Sequence, residues 1–211
     1  MNILAFDTAF ASVSACVRRG GAQVAHRRVD AARGHAELLL PMVAEVLAEA
    51  GLTASMLARI VTSPGPGHFT GLRAGLAAAQ GMALAAGAAL VGVDGFAAVR
   101  AAIERPAAGE RLLIAFDSKR AEAFLALDDG APFAATPEAF QPAGERFLVA
   151  GDRAAEFVQT LVRAGRQARI AAGPQMPDAG TMALLAETAQ PIDRLVPVYI
   201  HPPATTAPRR Q

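Results

Sequence analysis

The chain is poor in aromatic side chains, cysteine and lysine. It has no Trp, one Tyr and one Cys, and aromatics make up 5% of its 211 residues. The single cysteine, Cys16, leaves no disulfide framework within the chain. Lys119 stands alone against 19 arginines, and the net charge is +1. A dedicated duplex or RNA binder carries a strong basic excess or a basic stripe, so nucleic-acid binding is not expected as the main activity of this chain. No apolar run reaches the ~18 residues needed to span a bilayer. The Ala-rich stretch 74–93 comes nearest, but Gln80 and four glycines interrupt it. The opening MNILAFD has no basic flank and an acid at Asp7, which does not suit a signal peptide. The expectation is a cytoplasmic protein without membrane contact. A hydrophobic content of 53% with little charge excludes disorder for most of the chain.

What is present is small and apolar, with 51 alanines among the 211 residues. Asn2 to Phe6 reads as a buried strand ending at Asp7-Thr8. Ser12–Val17 and Ala22–Val29 read as two more strands, turned by Arg18-Arg19-Gly20-Gly21. From His35 to Ala50, Leu39, Val43, Val46 and Leu47 recur at helical spacing, and Gly51 closes the helix. A strand at Ile60–Ser63 runs into the turn Pro64-Gly65-Pro66-Gly67-His68. A helix follows from about Thr70, its expected cap, to Ala86. Leu90–Val93 is a strand and Gly95–Ile103 a helix. Further on, 133–142 reads as a loop, Phe147–Ala150 and Ala168–Ala171 as strands, and Ala154–Ala164 and Thr181–Ala189 as helices. Asp178 or Thr181 caps the last of these.

The chain repeats itself. Residues 113–130, LIAFDSKRAEAFLALDDG, align with residues 3–20, ILAFDTAFASVSACVRRG, at an offset of 110. Ala5-Phe6-Asp7 matches Ala115-Phe116-Asp117, Thr8 matches Ser118, and Gly20 matches Gly130. Internal similarity of this kind points to a duplicated unit. Two such halves describe an α/β fold of the actin-like ATPase/sugar-kinase (ASKHA) type, two similar lobes of β-β-β-α-β-α order. The first lobe is expected over 1–108. A shorter second lobe with an extended tail is expected over 109–211.

In that architecture the first hairpin of each half turns around nucleotide phosphate. The candidate phosphate-facing residues are Asp7, Thr8, Gly65, Gly67, Asp117 and Ser118. They are read as vestigial, because the second half is short and only Gly151-Asp152 hints at an adenine-binding segment. The stretch 63–75, SPGPGHFTGLRAG, is not a P-loop, since no Lys follows a glycine at the required spacing.

Asp7-Thr8-Ala9, HAELLLPMV at 35–43, PGPGHFTGLRAG at 64–75 and Ala115 to Arg120 occur in that order. Together they resemble the TsaB (YeaZ) family, closely over about residues 1–125 and loosely beyond. Pro197-Val198-Tyr199 also suits the family, with His201 where an Arg is common. The resemblance implies a dimerisation subunit of the bacterial machinery that makes threonylcarbamoyladenosine in tRNA. It implies as partners a TsaD-type catalytic paralogue and a TsaE-type ATPase, with tRNA reached through the complex. Isolated, the chain is a monomer or a homodimer. No tightly bound cofactor is expected, and ATP or ADP would sit at a subunit boundary of the complex. The paralogue's metal site uses two histidines at i and i+4 on the first long helix; here His35 is followed by Leu39 at i+4, so no metal is expected. No catalytic residue is assigned. The alternatives are an actin-like kinase or ATPase active by itself, and a metal-dependent glycoprotease-type peptidase.

The helix 71–86 has no charge after Arg73 and carries a stripe of Gly71, Gly75, Ala79 and Ala83. A helix apolar all round must be covered on more than one side. The expected partner seam comprises Leu38, Leu39, Met42 and Val46 on the first helix, and Gly71, Gly75, Leu76, Ala79, Met82 and Ala83 on the second.

Overall fold

A computed structural model describes residues 1–200. The chain forms two five-stranded mixed sheets with the same internal order. In the first, β1 (Asn2–Asp7) pairs antiparallel with β2 (Ser12–Arg19), which pairs antiparallel with β3 (Ala22–Asp30). On its other side β1 runs parallel to β4 (Arg59–Thr62), and β4 to β5 (Ala89–Gly92). β1 is central and almost entirely buried, which is why NILAF reads as an unbroken apolar run rather than an alternating one. The helices α1 (His35–Glu49), α2 (Phe69–Ala86) and α3 (Gly95–Ala102) follow β3, β4 and β5. α2 ends at Gly87, whose φ of +64° is the left-handed conformation that closes many helices.

The second sheet repeats this plan. β6 (Glu110–Asp117) pairs antiparallel with β7 (Ala123–Leu127) and parallel with β9 (Arg146–Ala150); β9 runs parallel to β10 (Gln167–Ile170). The actin-like two-lobed fold expected from the duplication is present. Even the turns correspond, because Asp7 accepts from the amide of Ala9 and Asp117 from the amide of Lys119, each two residues on.

Four sequence expectations are corrected. Within 133–142, read as loop, Phe133–Ala135 forms β8 and pairs antiparallel with β7. No helix joins β8 to β9. Instead Phe140 from the connecting loop packs edge-on against Phe157 of α4 (Ala154–Arg163) and stacks on Phe133. One aromatic ring thus covers the surface that α1 covers in the first lobe. Thr70 does not cap α2: His68 occupies the cap position, without a side-chain cap bond. The last helix, α5, is Ala179–Leu185, shorter than expected. Asp178 caps it by accepting from Gly180, and Thr181 lies inside it.

α5 also takes an unexpected place. Its position in the chain puts it in 109–211, yet it packs on the first sheet, on the face opposite α1 and α2. There Ala179, Met182, Ala183 and Ala186 meet Ile3, Ala5, Cys16 and Val61. Both faces of the first sheet are apolar, and α1 and α2 can bury only one. The following segment stays with the first lobe: the amide of Ile192 donates to Leu90 and that of Val198 to Pro64. His201 and the tail expected beyond Pro202 lie outside the described residues.

Candidate functional site

The two duplicated turns face each other between the lobes, but they are not alike. The third and fourth residues of the first turn are Ala9 and Phe10; at the same positions the second turn has Lys119 and Arg120. Phe10 enters the junction and packs on Phe116, ring centroids 4.5 Å apart, and edge-on against His68. Phe96 of α3 lies 4.9 Å from Phe116 on another side. The space between the hairpins is therefore filled by aromatic rings around β6. Phe10 and His68 were not picked out by sequence reasoning. The signal was there in the break of the repeat, where an Arg in one copy is a Phe in the other.

Around this plug the candidate phosphate-facing groups are turned to internal tasks. Thr8 donates its hydroxyl to the carbonyl of Gly71, 2.7 Å away in the first turn of α2. The amide of His68 donates to the carbonyl of Ala9 at 2.6 Å, and a Cβ on Gly67 would lie 2.6 Å from the same oxygen. Gly65, at φ +119°, lies against Val198, whose carbonyl would be 2.7 Å from an added Cβ. The Gly-rich turn thus holds the first hairpin and the tail. Ser118 donates to the carbonyl of Glu122 and accepts from Arg120, staying within its own turn.

The acids behave differently from each other. Asp7 is 1% exposed. Burial pushes its carboxyl up to about 6, against the stabilising pull of the Ala9 amide and the more distant Arg28. Its Oδ2 has no hydrogen-bond partner among the described residues, and neither does the nearby Ser12 hydroxyl. Asp117 sits at the mouth. Burial raises its carboxyl, but the hydrogen bonds and charge of Lys119, 2.9 Å away, outweigh that and hold it below the ordinary range. The Asp117 amide donates to Asp152, and His68 donates from Nε2 to the Asp117 carbonyl. Burial keeps the His68 imidazole below its usual pKa. A phosphate approaching the first hairpin would meet the buried Asp7 carboxyl, and the Thr8 hydroxyl that could donate to it is already bonded to Gly71.

His35 opens α1 and its Nε2 bonds the carbonyl of Phe10 at 2.7 Å, so the ring braces the first turn. Among the described residues no three His, Cys, Asp or Glu side chains come together as a metal site.

The expected partner seam is largely an internal one. Leu39, Met42, Val46, Gly71, Gly75, Leu76, Ala79 and Ala83 are all buried in the chain's own core, leaving only Leu38 and Met82 partly exposed. The glycines of the stripe exist for the hairpin: a Cβ on Gly71 would lie 2.0 Å from the Thr8 carbonyl, and one on Gly75 2.6 Å from the Thr8 hydroxyl. What α2 turns outward is a different stripe, Arg73, Ala77, Gly81 and Leu84. Leu84 is 86% exposed. Beside it α1 presents Leu40, Pro41, Ala44 and Ala48.

The family model for TsaD, tRNA N6-adenosine threonylcarbamoyltransferase, matches residues 28–169. The chain belongs to the TsaD family. Within it, the chain is 33% identical to the tRNA threonylcarbamoyladenosine biosynthesis protein TsaB of Escherichia coli (strain K12) over 126 residues, 60% of this chain and 54% of that protein. It is 30% identical to the protein of the same name from Haemophilus influenzae over 124 residues, 59% of this chain and 52% of that protein. These matches span about half the length of those relatives. YeaZ from Pseudomonas aeruginosa shares the fold, with a TM-score of 0.73 at 24% identity over 94% of this chain and 99% of that one. The TsaB (YeaZ) resemblance read from the motifs is thus met by relatives bearing those names.

Proposed function

We propose that the chain is a cytoplasmic, non-catalytic partner that binds and activates a TsaD-type paralogue for threonylcarbamoyl transfer to the tRNA adenosine next to the anticodon, in N6-threonylcarbamoyladenosine biosynthesis. The TsaB-named relatives support the pathway. The observation that supports partner binding is Gly81. It lies in the middle of α2, where glycine costs up to about 1 kcal/mol relative to Ala. A Cβ there would meet nothing within 4 Å. Nothing inside the chain calls for a glycine at this position, whereas a helix crossing close outside would. With Ala77 and Leu84 on α2 and Leu40 and Ala44 on α1, Gly81 gives a face of small and apolar side chains. Two such faces stack as a four-helix arrangement. The TsaE-type ATPase and tRNA then join the complex, and any ATP or ADP lies at a subunit boundary rather than at the Asp7 turn.

The test is co-elution of the chain with the TsaD-type paralogue from the same cell, and the threonylcarbamoyladenosine content of that cell's tRNA. An Ala77→Arg/Gly81→Arg variant should remain folded, lose co-elution and fail to restore the modification. Retention of both would sink this reading. ATP turnover by the chain alone above about 1 s⁻¹, abolished by Asp117→Ala, would favour a self-sufficient ATPase instead.

A further inference from the structure

The linker from α3 to β6 leaves a cavity of about 580 Å³ beside it. That is within the size of pockets that take small ligands, commonly about 300–1,000 Å³. Three parts of the chain form its walls: Arg100 and Ile103 at the end of α3, Arg105 on the linker, and Leu112 and Asp128 of the second lobe. Ile103 and Leu112 are buried and give an apolar floor.

The rim is charged, and its charges are unequally committed. Both carboxylate oxygens of Asp128 are taken, one by Arg111 at 2.8 Å and one by the amide of Leu112 at 2.9 Å. Asp128 is fixed in the left-handed region at φ +51°, a strained conformation for a residue with a side chain, and these bonds hold it there. Arg100 donates to the Asp128 carbonyl and lies 3.6 Å from Asp129, whose carboxylate is 95% exposed and so is a weak partner in water. Arg105 makes no hydrogen bond or ion pair with any described residue. Arg105 is exposed and, with Arg100, lines the cavity whose floor includes Ile103 and Leu112.

We propose that this cavity binds a small organic anion, a carboxylate or phosphate with an apolar body. The acid group would be held by Arg105 and Arg100, and the body would lie on Ile103 and Leu112. A guanidinium fork pairs two oxygens of either acid, which gives recognition of the class rather than of one member. Because the walls come from both lobes and the linker, an occupant would tie the lobes together. None of the residues lining it belongs to α1 or α2, and the inference does not rest on the proposed function.

The test is an amide NMR titration of the full chain with benzoate, phenyl phosphate and uncharged benzyl alcohol. At least one acid should give saturable shifts centred on residues 100–106 and 128–129, and which acid binds more tightly identifies the source class. Benzyl alcohol should bind at least about tenfold more weakly. Arg105→Ala should weaken acid binding by about tenfold and Arg105→Lys by less. Ala101 also lines the cavity, and Ala101→Phe, which adds bulk there without removing a charge, should abolish binding, the spectrum itself reporting that the variant is folded. The proposal fails if neither acid saturates by about 10 mM, if the shifts centre elsewhere, or if Arg105→Ala leaves the titration unchanged.

Discussion

The hydroxyl of Thr8 donates across 2.7 Å to the carbonyl of Gly71, joining the first hairpin to the first turn of α2. In a nucleotide-binding hairpin that hydroxyl would face the ligand. Here it is buried and bound to backbone, and the helix can come that close only because residue 71 has no side chain. The contact turns a ligand-facing position into a structural one and explains why two glycines of α2 lie under the hairpin.

Replacing Gly71 by Ala forces a methyl group to within 2.0 Å of the Thr8 carbonyl. The Cβ is fixed by the helix backbone and the oxygen is itself backbone, so relief requires moving α2 or the hairpin. Overpacking of this kind costs about 1–3 kcal/mol or more. Thr8→Val removes the hydrogen bond but keeps the shape, and should cost about 1 kcal/mol, because the Gly71 carbonyl keeps its place in the helix ladder. Urea unfolding of both variants, with the glycine change the more severe, checks this. A harmless Gly71→Ala would contradict the packing.

Gly81→Ala should do the opposite. The position is exposed and mid-helix, so alanine should stabilise the isolated chain by about 0.5–1 kcal/mol. If the proposed seam is right, the same methyl group weakens pairing with the paralogue. Thermal melting and co-elution measured on one sample would show the two effects parting; a gain in both would place the partner elsewhere.

Ala79→Arg and Ala77→Arg sit two residues apart and should have different fates. Ala79 is 0% exposed, so an arginine there is a charge in the core and should prevent folding, a loss of several kcal/mol. Ala77 is exposed, and its arginine reaches water in the isolated chain. Circular dichroism melts should find Ala77→Arg near wild type and Ala79→Arg unfolded.

Asp7 makes stability depend on pH. Its folded carboxyl titrates at about 6, above the ordinary 3.8, because burial disfavours the charged form. The stability that the protonated acid contributes is therefore complete below about pH 4, falls as pH rises through about 6, and is absent above. The span of about two units corresponds to roughly 3 kcal/mol. Asp7→Asn should be more stable than wild type at pH 8 and close to it at pH 4. Stability profiles of the two that run parallel from pH 4 to 8 would refute this.

Much of the fold was legible in the chain itself. The apolar runs at Asn2–Phe6 and Leu113–Phe116 mark the central strands because both faces are covered, and the repeat at an offset of 110 reveals two lobes because corresponding turns keep the same acid, hydroxyl and glycine. The family signature at 64–75 is equally local. Three features were not local. α5 lies on the first sheet although it follows the second, since what selects its place is an uncovered apolar face far away in sequence. Phe140 stands in for a whole helix, which no periodicity announces. The Gly71–Ala83 stripe has the spacing of a docking seam, and the same spacing serves a helix packed on its own hairpin. A sequence states which side of a helix is small and apolar. Only the tertiary structure decides whether that side meets the chain's own backbone, as Gly71 meets Thr8, or faces outward, as Gly81 does.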